Sequence, residues 1–235
     1  MKRNLKQQIL AGALAVTLLT GCAGLPEAKD TASQPAETTS AAQQNAHFEK
    51  IAEGFRAMGI DVSDEVVRQC GKNYDSIPKD AKTSQEGQEQ DIFLTELMRY
   101  YGSKPVSGAL YCFPAEVTDT SCMMEDFFKG VMSICGDLFT IEMKQKELVS
   151  HNTIKKGIYD QKIIYKVNGL KYEYTISVNQ DRFDVGIIPS LNEAIAVEQY
   201  DQRLYYDCRS DIIMVCWCME DWANEFNEKT GFHLS

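Results

Sequence analysis

Histidine is scarce in this sequence, with three in 235 residues, at positions 47, 151 and 233. So few imidazoles restrict the general-base and metal-ligand chemistry that leans on them. The chain has no HExxH helix, no paired CxxC knuckles, no GxSxG elbow, no glycine-rich phosphate loop and no dinucleotide fingerprint. Zinc hydrolysis, serine hydrolysis and nucleotide chemistry therefore find no motif to rest on. Positive charge is the minority sign, 24 Lys and Arg against 34 Asp and Glu, for a net charge of -10. An acidic surface repels phosphate backbones, so nucleic acid is not an expected partner.

What the chain does have begins at its start. Lys2, Arg3 and Lys6 precede an apolar run from Ile9 to Leu19, which leads into Leu19-Thr20-Gly21-Cys22. The run is too short for a finished membrane span and fits the h-region of a signal peptide. The last four residues resemble the lipobox of bacterial lipoproteins. That resemblance implies cleavage before Cys22, lipidation of Cys22, and a chain held on a membrane by that lipid, facing away from the cytoplasm. Losing the three basic leader residues leaves 21 basic against 34 acidic groups, a net of -13. With a surface that acidic, the expected membrane contact is the lipid, whose buried CH₂ groups contribute about 0.8 kcal/mol each.

Beyond Cys22 the chain is rich in Ala, Thr, Ser, Gln and Pro, with Leu25 as its only large aliphatic side chain before His47. Such a stretch buries too little to offset its conformational entropy, so residues 22–46 are expected to be a disordered tether with a reach of roughly 27 Å. Residues 47–235 are expected to form one globular domain.

Hydrophobic spacing predicts helices at Phe48–Met58, at Ser63 to about Asn73, from Asp91 to Gly102, from Asp119 or Thr120 to Gly136, at Pro189–Val197, and around Trp222 and Phe226. Phe139, Ile141 and Met143 alternate as on a strand. Asn168-Gly169 lies between two alternating runs and predicts a type I′ hairpin pairing Val167 with Leu170, Tyr165 with Tyr172 and Ile163 with Tyr174. A second hairpin is expected over 203–218, turning at Arg209-Ser210 with Cys208 opposite Asp211. Grouped helices and short turns predict an α+β fold: an N-terminal helical segment, then an antiparallel sheet with helices packed on one face.

Seven cysteines remain after Cys22, at 70, 112, 122, 135, 208, 216 and 218, and an odd count leaves one unpaired within a monomer. Cys216 and Cys218 are roughly 6.6 Å apart on one strand, at the limit of bridging. Most of the seven are expected as reduced, buried, apolar side chains. A zinc set of Cys216, Cys218 and His233 can be drawn, but Cys-x-Cys on a strand fits a core better; no metal and no cofactor are expected. Asp181 and Asp184, with Arg182 nearby, suit either paired hydrolytic carboxylates or a turn cap, and the cap is favoured. Tyr165, Tyr172 and Tyr174 share a face, which is core if helices cover it and a recognition surface if it is open. Tyr205, Tyr206 and Trp217 belong to the second hairpin.

These features favour a non-catalytic protein-binding module, for example an immunity-type protein that neutralises a basic toxin. A surface hydrolase with a cysteine or carboxylate site is the alternative. A solute-binding lipoprotein is less favoured, because two lobes need more chain.

Overall fold

The computed structural model describes residues 38–78, 87–102, 106, 108–116, 123–148, 158–179, 182–209 and 211–235. Cys22 and the rest of the leader lie outside them, as do Cys122, His151, Asp181 and the Asp119 and Thr120 caps. Among the described residues, no helix is long and apolar enough to cross a membrane.

Helix α1 spans Thr38–Ala57. It thus takes in the end of the stretch expected to be a tether. Ala41, Ala42, Gln43, Gln44 and Ala46 are good helix formers that continue a helix anchored further on by buried Phe48, Ile51, Ala52 and Phe55. Ser63 accepts the N–H of Glu65 at 3.3 Å and starts α2, Asp64–Ser76, whose acidic first turn suits the helix dipole. Helix α3, Gln88–Tyr101, closes where the Gly102 N–H reaches the carbonyl of Met98 at 2.7 Å. There follow β1 (Leu110–Pro114), α4 (Met123–Cys135) and a 3₁₀ turn at Gly136–Leu138. Next come β2 (Ile141–Leu148), β3 (Ile158–Val167), β4 (Leu170–Asn179) and α5 (Ile187–Ala196). The chain continues through β5 (Arg203–Arg209), β6 (Ile212–Cys218) and α6 (Glu220–Thr230).

The fold is α+β, and its strands divide between two antiparallel three-stranded sheets, β1-β6-β5 and β2-β3-β4. Asn168 and Gly169 take φ of 47° and 85°, the backbone a type I′ turn requires, and the β3–β4 register is the one the alternation dictates. The second hairpin turns one residue later than expected, which moves the partner of Cys208 by two: Arg209 faces Ile212, and Cys208 faces Ile213 instead of Asp211. That register keeps Ile212 in the strand and leaves Asp211 outside it, where it holds Arg182 at 3.1 Å.

Strand β6 is buried along its whole length, because its sheet is covered on both faces. Ile212, Met214, Cys216 and Cys218 join a core with α1, α2, α3 and α6. On the other face, Ile213, Val215 and Trp217 share a second core with α4, α5 and one face of β2-β3-β4. Helices α4 and α5 are thus sandwiched between the two sheets. Close approach there depends on Gly130 of α4, where a Cβ would lie 2.2 Å from the Tyr111 ring of β1.

Candidate functional site

The tyrosine face of the β3–β4 hairpin lies under α5 instead of forming an open platform. Tyr165 is fully buried, stacks on Tyr172 at 5.8 Å between ring centroids, and meets the Ser190 hydroxyl of α5 at 3.1 Å. Tyr172 donates its hydroxyl to the carbonyl of Ala194 at 3.4 Å. Tyr174 donates to Asp184 at 3.3 Å, and burial together with the negative charge of Asp184 pushes its hydroxyl up to about 12. Tyr165 is core, and Tyr172 and Tyr174 are half-buried against it. Amphipathic strands do not reveal which helix will cover the apolar side.

Cys70, Cys112, Cys135, Cys216 and Cys218 are buried and unpaired; Cys208 is exposed and unpaired. Desolvation holds each buried thiol protonated, with Cys70 and Cys218 pushed up to about 12 and Cys112, Cys135 and Cys216 raised further. A nucleophilic cysteine needs the opposite shift. Cys216 and Cys218 face the helical core while the side chain of His233 is exposed, so the drawn zinc set does not converge. Among the described residues no group of three potential ligands comes together. His47 is exposed, 3.8 Å from Glu89.

Asp184 works as a cap. It accepts the N–H groups of Ser177 and Gly186, both at 3.0 Å, besides the Tyr174 hydroxyl, tying the edge of β4 to the start of α5. Asp207, nearly buried, takes Arg209 Nε at 2.9 Å and the His233 N–H at 2.8 Å. Glu96, buried between α2 and α3, accepts Asn73 at 2.6 Å and pairs with Arg99. Each of these carboxylates is committed to holding backbone or a neighbouring helix.

Among the described residues, two grooves are each formed by a helix leaning over an edge strand. The first, about 500 Å³, runs between α5 and β5, with Asn192, Glu193, Arg203, Tyr205 and Tyr206 at its border. Asn192 fixes its wall by accepting the Leu204 N–H and donating to the Leu204 carbonyl, both at 2.8 Å. Tyr206 exchanges two backbone bonds with Ser235, at 3.0 and 3.2 Å. The walls are therefore rigid, and tyrosine with arginine is the composition that carries interface energy. The second groove, about 550 Å³, lies between α4 and β2, with Phe128, Met132, Ile141 and Met143 flanked by Glu125, Lys129, Glu142 and Lys144. Sequence reading named Tyr205 and Tyr206 but not the groove. No local signal marks it, since Asn192 is one of three polar residues, with Ser190 and Glu193, in the Ile187–Ile195 stretch.

The outward face of β2-β3-β4 carries Glu142, Lys162, Lys166, Lys171, Glu173 and Thr175. Glu173 is held by Lys162 at 2.5 Å and Lys171 at 2.9 Å, and these bonds bring its carboxyl down to about 2. Ile164, also on this face, is nonetheless almost buried, as expected where long lysine stems lie over apolar surface.

No family model matches the chain, and no curated protein and no solved structure matches it either.

Proposed function

We propose that the chain is a non-catalytic protein-binding module, exported and held on the outer side of a membrane through lipid on Cys22. The observation that carries the binding reading is the α5–β5 groove. It is a preformed cleft with Tyr205, Tyr206 and Arg203 at its border, walled by an edge strand whose backbone Asn192 and Ser235 already satisfy. A rigid cleft of this kind orders few side chains on binding, which lowers the cost of association.

Two further features support it. The buried thiols are shifted away from reactivity. The buried carboxylates Glu96 and Asp207 and the half-buried Asp184 are engaged in structural hydrogen bonds. The net charge of -10 favours a basic protein partner, attracted from a distance and selected at the groove. An immunity-type role towards a basic toxin is one form of this reading.

Anchoring rests on the lipobox residues 19–22, and mass spectrometry of the native protein tests it. A mature chain beginning at a diacylated Cys22 is expected; an intact leader or an unmodified Cys22 contradicts it. Binding is tested by affinity capture from native membranes with the wild type, Arg203→Ala and Tyr206→Ala. One stoichiometric basic protein, lost with either variant, is expected. Failure of the wild type to hold any stoichiometric protein contradicts the reading.

A further inference from the structure

We infer that the chain pairs with a second copy of itself through the open edge of β2, joining two three-stranded sheets into one of six. The β5 edge is closed by Asn192 and Ser235, and the β4 edge is held at Ser177 by Asp184. On the β1 edge, Val106 donates to the Leu110 carbonyl at 2.7 Å. Strand β2 is the outer strand of its sheet. Thr140, just before it, exchanges bonds with Asn168 at 2.9 and 3.0 Å, so the even positions there direct their backbone toward β3. Ile141 and Met143 therefore direct theirs outward. The Ile141 N–H meets Met132 Sδ at 3.2 Å, whereas Met143 finds no partner for its outward N–H and C=O among the described residues.

Charge selects the occupant and the register. Outward-directed residues must face outward-directed residues; an axis at Ile141 would need its N–H, which Met132 Sδ already takes, and the register shift turns Gln145 back toward β3, so a two-fold axis can pass through Glu142 or Met143. An axis at Glu142 sets Glu142 against its own copy, and like charges directly opposite are destabilising. An axis at Met143 sets Glu142 against the partner's Lys144 and Lys144 against the partner's Glu142, so the ion pair that the two form within one strand extends across the axis. The same axis runs the two copies of α4 antiparallel.

Lysines and bulges ordinarily guard an edge against pairing. Here the guarding charges complement themselves in a single register, and the register shift between Met143 and Gln145 keeps the paired segment short. The dimer is accordingly a weak one, suited to chains concentrated on a surface.

Sedimentation equilibrium of the full chain in density-matched detergent, over a series reaching about 0.5 mM protein, tests this. A monomer–dimer equilibrium is expected. Glu142→Lys and Lys144→Glu should each weaken it by about tenfold or more, and the double exchange should restore it to within about threefold. Glu142 and Lys144 are exposed, so the variants should keep the wild-type circular dichroism and unfolding midpoint. A chain monomeric throughout the series overturns the inference and leaves the groove to an extended peptide. So does an association indifferent to the single exchanges, which would place the contact at the anchor or elsewhere, or a double exchange no better than the single ones.

Discussion

Tyr165 of β3 and Tyr172 of β4 stand directly opposite one another, and their rings stack at 5.8 Å with 25° between their planes. The pair is fixed from below by the Asn168-Gly169 turn and from above by α5, through Ser190 and Ala194. Turn geometry and aromatic packing therefore support each other. Tyr165→Ala should cost on the order of 3 to 5 kcal/mol and Gly169→Val on the order of 1 to 3 kcal/mol. Exposed Lys171→Thr should change stability by less than about 0.5 kcal/mol. Urea unfolding checks all three, and small, equal effects would mean that the hairpin is not held in this register.

Gly130→Ala reverses a usual rule. In a helix interior the change normally stabilises by about 1 kcal/mol. Here the added Cβ would lie 2.2 Å from the Tyr111 ring, so α4 must move off β1. A loss of roughly 1 to 3 kcal/mol is expected by chemical denaturation. A gain in stability would show that α4 does not pack this closely.

Alkaline conditions should weaken the fold. Burial raises Cys70, Cys218 and Tyr111 to about 12, against ordinary values of 9 and 10. The unfolded chain therefore loses these protons first. Stability is fully present below about pH 9 and is lost as pH climbs towards 12. The urea midpoint at about pH 10.5 should fall below that at about pH 8. Native alkylation mapped by peptide mass spectrometry should mark Cys208 while Cys70, Cys112, Cys135, Cys216 and Cys218 stay protected. Rapid labelling of Cys216 or Cys218 would show that the helical layer opens readily.

How much was legible from sequence depends on how local the information is. The β3–β4 hairpin was readable because a period of two and an Asn-Gly turn specify the same register. Helices α2 and α3 were readable from Ser63 and Gly102. Strand β1 was missed because Leu-Tyr-Cys-Phe-Pro is a short apolar run with no alternation. The division into two sheets escaped notice, although the unbroken Ile212–Cys218 run is the pattern of a strand covered on both faces. Asp184 could be read as catalytic or as a cap until its donors, Tyr174, Ser177 and Gly186, were in place. Neither groove is local: α5 meets β5 and α4 meets β2 only through tertiary packing.

The central claim is that the α5–β5 groove holds a protein partner. A photo-reactive benzoylphenylalanine in place of Tyr206, irradiated in native membranes, tests it most directly. One adduct of a single defined mass is predicted, containing a basic protein and weakened when Arg203→Ala is added. No adduct, or a heterogeneous spread unaffected by Arg203→Ala, would contradict the account.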